Sequence, residues 1–421
     1  MLEKIYSRSA TVSELRSGPL GLFVDDFASL LASDGYTYEV IETKLAVIRS
    51  LHFWLVQRDI PLGRLTSSRI DEFVTFRKRQ YQGFTHKGHA STLRAFVALL
   101  RSRGLIPPEE PAVSGLSALD ERLKDFGEHL ERERGVTAKC REAYCDSVRK
   151  FLTSTCGIKA SDGATLSPDG ISAFIIEFRK SCSLSHAQRM VTAIRSYLRF
   201  LKFRGDIRID VTGGALAFPN WRGTKLPETL TTDQVKSLFR TCNRKTAVGR
   251  RDYALLLLLA RTGLRAGEVF KLRLQDIDWE CGEMVIHGKG RRQATIPLMQ
   301  DVGSALADYL KNGRPKCQAP QLFVRAVAPY RAFNRPGTIS TIVRVATLRA
   351  GLKTKCKGAH LLRRTIATHA LQAGATLPEV GELLRHRSIE STKLYAKVDH
   401  KRLRELIVPW PTSKRTIRGD R

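Results

Sequence analysis

The chain has 421 residues, 42% of them hydrophobic and 27% charged, the balance of a folded multidomain protein rather than a disordered one. Its 71 Lys and Arg against 41 Asp and Glu leave a formal charge of +30, which implies a polyanionic partner and points to nucleic acid. The sequence carries no apolar leader, no run long enough to span a bilayer and no lipidation signal, so no membrane partner is expected and the reading is a cytoplasmic, nucleoid-associated protein.

The first half of the chain repeats itself. Leu65–Phe73 matches Leu166–Phe174, and Leu93–Gly104 matches Ile194–Gly205, both at an offset of 101 residues. Phe76-Arg-Lys pairs with Phe178-Arg-Lys at 102, and Trp54 falls opposite Phe151 as the register drifts. In the last helix of each unit the apolar positions 93, 96, 97 and 100, or 194, 197, 198 and 201, make one stripe that a glycine ends. Each unit therefore reads as a small helical bundle. Pro107–Pro111 separates the two, and a Gly- and Pro-rich stretch over 211–227 marks the next boundary. The expected division is an N-terminal helical domain over 1–111, a second over 112–210, a linker over 211–227, and a last domain over 228–421 with a tail over 397–421.

The last domain opens on a capping box, Thr231-x-x-Gln234. The aliphatic run 254–260 predicts a buried helix that stops at Thr262-Gly263. Glu283–His287 and Gln293–Leu298 predict two strands around a basic hairpin tip, Gly288-Lys-Gly-Arg-Arg. From Ser340 onward the pattern is helical, with Thr376-x-x-Glu379 capping one helix and Ser388 capping another that carries Tyr395. The fold class that follows is a multidomain, mainly α chain: tandem helical bundles, then a mixed α/β domain with a small β-sheet.

Chemistry enters with the cations of this last domain. Arg265 follows a Thr-Gly turn at a helix start, where free backbone N–H groups favour an anion. His360 and Arg363 stand at i and i+3, on one helix face. Two guanidiniums suit a phosphodiester because each forks onto non-bridging oxygens without losing its charge. Lys289 at a hairpin tip is placed to reach into a groove and protonate a leaving alkoxide. His386 and, nine residues later, Tyr395 complete the series, the tyrosine as a nucleophile whose ester stores bond energy reversibly. The eight cysteines show neither Cys-x-x-Cys nor His/Cys zinc spacing, and the chain has no Walker loop and no clustered carboxylates, so no metal or nucleotide cofactor is expected.

These residues resemble the tyrosine recombinases, or phage integrases. Thr262-Gly-Leu-Arg-x-x-Glu268 is similar to the family's first arginine box; Gly288-Lys289-Gly290 matches its hairpin lysine, 24 residues after Arg265; His360-x-x-Arg363, then His386 23 residues on, then Tyr395, resemble its second box. The likeness is strong over 222–400, and 113–205 looks like the family's SAM-like core-binding domain.

The resemblance implies a C-shaped clamp on a double-stranded DNA recombination site. In it Tyr395 attacks the scissile phosphate to give a 3′-phosphotyrosyl link and a free 5′-hydroxyl. Arg265 and Arg363 hold the non-bridging oxygens, His360 and His386 move protons, Lys289 is the general acid and Glu268 orients Arg265. Arg291, Arg292, Arg385 and Arg387 are expected as DNA contacts. The implied assembly is a homo-oligomer, a dimer per site and a tetramer in synapsis, or a hetero-assembly with related recombinases, serving a mobile element. Two departures stand out: Arg385 occupies a position where the family has Gly, and Arg364 one where it has His. A type IB topoisomerase or a catalytically silent DNA-binding protein on the same fold are the alternatives.

Overall fold

The computed structural model describes residues 1–17, 19–80, 88–106, 118–155, 166–207, 211–215, 228–288, 292–356, 358–386, 388, 392 and 395. The chain divides into two compact units, residues 1–108 with 223–421, and residues 109–222. Among the described residues no helix is long and apolar enough to cross a membrane.

The first helical bundle is built from α1 (Ser9–Arg16), α2 (Gly21–Ser33), α3 (Tyr38–Gln57), α4 (Ser67–Gln80) and α5 (His89–Ser102). The second is built from α6 (Ala118–Arg134), α7 (Ala138–Thr155), α8 (Pro168–Ser181) and α9 (Leu184–Arg204). Each has a continuous core of its own. The repeat read from sequence reappears as a repeated aromatic frame. Trp54 packs on Phe73 at 5.5 Å between centroids, and Phe151 packs on Phe174 at 5.2 Å. Phe27 meets Phe96 edge-on at 5.0 Å, and Phe126 meets Tyr197 edge-on at 5.2 Å. The stripe on α5 is buried at Leu93, Phe96, Val97 and Leu100, and that on α9 at Ile194, Tyr197, Leu198 and Leu201. Burying such a side chain stabilises by about 1.5–3 kcal/mol, so these stripes hold the bundles together.

The last domain runs α10 (Thr232–Arg240), α11 (Ala247–Thr262), α12 (Ala266–Lys271), β1 (Ile277–Asp278), β2 (Glu283–His287), β3 (Gln293–Pro297), α13 (Gln300–Asn312), α14 (Gly337–Arg349), α15 (Ala359–Gln372) and α16 (Leu377–Leu383). Its antiparallel sheet has the order β1-β2-β3, with His287 opposite Gln293 at the hairpin end. The short β1 had no sequence signal, since two residues carry no alternation. Both expected capping boxes form, Thr231 with Gln234 and Thr376 with Glu379. The aliphatic run of α11 is buried at every position from Ala254 to Leu259 and forms the centre of the core. It stops at Gly263, whose φ of +60° is left-handed and where a Cβ would lie 2.9 Å from Leu384 Cδ2 and 3.0 Å from Ile366 Cγ2. Glycine is required there on both counts, and this close approach brings the ends of α11 and α16 together. Much of the stretch that Ser388 was expected to cap lies outside the described residues, although Thr392 and Tyr395 are helical and buried.

A contact the sequence did not announce joins residues of the first bundle and the last domain. The Tyr330 N–H donates to the Asp34 carbonyl at 2.9 Å, and Gly35, with φ +86°, leaves room for the Tyr330 ring where a Cβ would lie 2.1 Å from it.

Candidate active site

Arg265 is the N-cap of α12. Its N–H donates to Glu268 Oε2 at 2.8 Å and its Nη1 to Glu268 Oε1 at 2.6 Å, so one buried carboxylate caps the helix and grips the guanidinium. The Arg265 side chain is 40% exposed while Glu268 is 6% exposed, which leaves the outer edge of the guanidinium open to a ligand.

Arg363 is 4% exposed on α15, and among the described residues it makes no ion pair with a carboxylate. It donates through Nη1 to the Gly263 carbonyl at 2.5 Å and through Nη2 to the Leu384 carbonyl. Those carbonyls belong to the C-terminal turns of α11 and α16, where the helix dipole is negative and a cation is favoured. Burial, then the neighbouring Arg265, lower its pKa to about 10, so it stays charged at neutral pH.

Both imidazoles sit in this positive field. His360, open on its outer side at the start of α15, is held below the usual range by desolvation, then by Arg363, Arg364 and Arg265. His386 is lowered to about 4 by desolvation, then by Arg363, Arg265 and Arg385. Its Nδ1 lies 2.8 Å from Thr392 Oγ1, and Thr392 is itself 1% exposed. The neutral form of each ring is therefore favoured. Tyr395 is 4% exposed and packs with Ala367, Leu371, Val380 and Leu384; burial raises its phenol, and Arg363 and Arg364 work against that rise.

The remaining expected residues divide. Arg292 is exposed at the foot of the hairpin, where the Gly288 N–H bonds to its carbonyl at 2.8 Å. Lys289, Arg291 and Arg387 lie outside the described residues. Arg385, expected to face DNA, instead turns inward: its side chain is 18% exposed, with Nη2 3.7 Å from Glu268 Oε2.

Sequence reasoning passed over three groups. Thr392 holds His386 and had no motif to mark it. Asp276, 7% exposed, accepts the Arg273 N–H at 2.8 Å and meets His287 Nε2 at 3.0 Å, tying the end of β2 to the turn before β1. Glu228 accepts the Lys355 and Cys356 N–H groups at 2.9 and 2.6 Å, fixing the approach to α15. A carboxylate just before a turn signal was the only cue for the last two. Among the described residues no group of three or more His, Cys, Asp or Glu is arranged to hold a metal ion.

Two guanidiniums, two imidazoles held below their usual range and a phenol that feels Arg363, with one buried carboxylate on Arg265, are the groups of an enzyme that stabilises a transferring anion, on the scaffold of a helical bundle joined to a mixed α/β domain. Comparison with known proteins gives that class its family. The profile of the Phage integrase family matches residues 228–402, and that of the phage integrase N-terminal SAM-like domain matches 123–205. A putative integrase/recombinase, y4rA of Sinorhizobium fredii, is 33% identical over 394 residues, which is 94% of this chain and 95% of that protein. The tyrosine recombinase XerC of Bacillus pumilus is 30% identical over 287 residues, 66% of this chain and 92% of that protein. In fold, XerH site-specific recombinase bound to its palindromic difH substrate aligns with a TM-score of 0.55 at 20% identity, covering 67% of this chain and 83% of that one. The chain belongs to the phage integrase family of tyrosine recombinases, and its enzyme class is that of a site-specific recombinase.

Proposed function

We propose that the chain cleaves and rejoins double-stranded DNA at a recombination site through a 3′-phosphotyrosyl link at Tyr395, without metal or nucleotide, in the service of a mobile element. The observation that carries the reading is the charge balance of the site. Arg265, Arg363, His360 and His386 act on one another electrostatically, and Glu268 is occupied by Arg265. Such a cluster is at rest only when an anion enters it, and a phosphodiester brings one negative charge with two non-bridging oxygens for two guanidinium forks.

In this reading Arg265 and Arg363 hold those oxygens and neutralise the charge that builds in the pentacoordinate transition state. The Tyr395 oxygen attacks phosphorus, the bond to the 5′-oxygen breaks, and Lys289 at the hairpin tip delivers the proton that makes a free 5′-hydroxyl. The phenol gives up its proton as it meets the phosphate, with Arg363 and Arg364 favouring the phenolate and His360 or His386 accepting. The reverse reaction, with a new 5′-hydroxyl as nucleophile, rejoins strands at no net cost in bond energy.

The helical unit over 112–210 is assigned to gripping DNA together with the catalytic domain over 228–421, the unit over 1–111 to a second DNA clamp or a protein contact, and Arg291, Arg292 and Arg387 to further DNA contacts. XerH and lambda integrase were solved on DNA, the latter as a dimer on a core site and as a tetramer on a Holliday junction. The same fold here supports a dimer per site and a tetrameric synapse, formed by copies of this chain or with related recombinases, in the cytoplasm on the nucleoid.

A nicked suicide duplex tests the proposal. The wild-type protein is expected to form a covalent adduct that survives denaturing gel electrophoresis, and Tyr395→Phe to bind the same duplex and form none. An adduct that persists in Tyr395→Phe overturns the assignment.

A further inference from the structure

Arg385 stands where the chain turns out of α16 into His386. The His386 N–H bonds to the Gly381 carbonyl at 2.9 Å and the Arg385 N–H to the Glu382 carbonyl at 2.8 Å, the paired bonds of a Schellman turn in which Arg385 takes the left-handed position, at φ +53°. A residue with a Cβ is strained there relative to glycine. The side chain gives that cost a use.

Its Nη1 donates to the Leu383 carbonyl at 3.0 Å and its Nη2 to the Thr262 carbonyl at 3.4 Å, while Nη2 also lies 3.7 Å from Glu268 Oε2. Arg363 makes the same kind of span one residue further along each turn, from the Gly263 carbonyl to the Leu384 carbonyl. Two guanidiniums therefore bridge the C-terminal turns of α11 and α16, side by side. Arg385 differs in also facing Glu268, the carboxylate that grips Arg265. One side chain thus touches the turn that carries His386, the turn that precedes Arg265, and the carboxylate that orients Arg265.

We propose that Arg385 is a positioning residue for strand cleavage, which locks His386 and the Arg265–Glu268 pair into one frame; the inference rests on the function proposed above. Arg385 does not touch the phosphate in this account. It sets the separation and angle between two groups that do, and a sub-ångström misplacement of such groups costs rate far more than affinity. A lysine cannot replace it, because one ammonium lacks the planar fork that reaches Leu383, Thr262 and Glu268 together.

The test compares wild type, Arg385→Gly and Arg385→Lys in single-turnover cleavage of the suicide duplex at saturating protein. Arg385→Gly relieves the backbone strain, so its melting temperature is expected to hold. Its DNA affinity should stay within about threefold, since many other cations carry the counterion term. Its cleavage rate at saturation should fall at least about tenfold, the scale of lost orientation. Millimolar guanidinium should restore part of that rate by refilling the vacated site, a response that loss of a merely structural contact would not give.

The pH profile supplies an independent reading. The charged groups facing His386 are Arg363 on α15, Arg265 at the start of α12 and Arg385 on its own turn. Removing the last should move the limb set by His386 to higher pH in Arg385→Gly and leave it in place in Arg385→Lys. Arg385→Lys should lose rate nonetheless, and it serves as the deciding variant if Arg385→Gly does not fold. Weaker binding with an unchanged rate at saturation would make Arg385 a DNA contact and overturn the inference, as would a full rate in Arg385→Lys. Failure of the wild-type protein to form any adduct would instead remove the function beneath it.

Discussion

The helical bundles and the catalytic domain place their positive charge in opposite ways. In the bundles several cations are exposed and paired locally: Arg69 with Glu72, Arg132 with Glu128, and Lys180 with Glu177, this last pair 68% and 74% exposed. Exposed pairs of this kind contribute about 0–1 kcal/mol to stability, so they can be exchanged for phosphate at little cost to the fold. In the catalytic domain Arg363 and Arg385 are 4% and 18% exposed, and they bond to carbonyls at helix ends. Arg363, which makes no ion pair with a carboxylate among the described residues, is costly to bury, and that cost is offset when an anion arrives. In the function proposed above, exposed charge serves affinity and buried charge serves a site already shaped for the transition state. The apolar aromatic frame, not charge, is what holds each bundle.

The largest expected effect breaks a bundle without touching the site. Trp54→Ala removes one side of the Trp54–Phe73 pair and should destabilise the first helical core by about 3–5 kcal/mol. Thermal melts followed by circular dichroism should then show the unit of residues 1–108 and 223–421 unfolding early, while the second bundle, in the unit of residues 109–222, keeps its own transition. Loss of both transitions together would mean that the cores are not independent.

Next in size is the buried charge itself. Arg363→Ala should raise the barrier to cleavage on the order of 3 kcal/mol, as loss of an oxyanion donor does. The salt dependence of DNA binding should stay nearly unchanged, because one buried arginine adds little to a footprint of many exposed cations. A cleavage rate within tenfold of wild type at saturating protein would place the phosphate elsewhere.

A smaller effect is protonic. His386, near 4, and His360, also lowered, are neutral in the free protein at pH 7. The unfolded chain binds these protons below about 6.5, so stability carries a penalty that is absent above that pH and grows as pH falls toward 4. In the function proposed above a DNA phosphate opposes the local positive field and raises both pKa values, so binding should take up protons below the usual histidine range, strengthening by up to about tenfold per pH unit for each proton. Calorimetry in buffers of differing ionisation enthalpy measures this directly. His386→Gln should lower the uptake; zero uptake or proton release in the wild type would contradict the field described here.

The bundles were legible because their signal is periodic and local. The stripes on α5 and α9 and the offset of 101 residues lead straight to the paired aromatics, since a repeated core needs repeated large side chains. The site was legible in a different way, through residue types and intervals matching a family, and it was legible only in part. Arg385 looked like a DNA contact because its inward direction depends on the meeting of the α11 and α16 ends, more than 100 residues apart, which no local pattern encodes. Thr392 was missed for the same reason: its value lies in standing 2.8 Å from His386. The small β1 was missed because pairing with β2, not propensity, makes it a strand.

The central claim is that the buried cations serve a covalent phosphotyrosyl step at one named oxygen. The direct measurement is to trap the adduct on a suicide duplex in the presence of EDTA, digest it, and identify by mass spectrometry the peptide and the DNA end that are joined. The account predicts a single adduct on Tyr395, carried on a 3′-phosphate, with a free 5′-hydroxyl on the released strand. An adduct on another residue, a 5′-phosphate link, or cleavage that disappears with the chelator would contradict it.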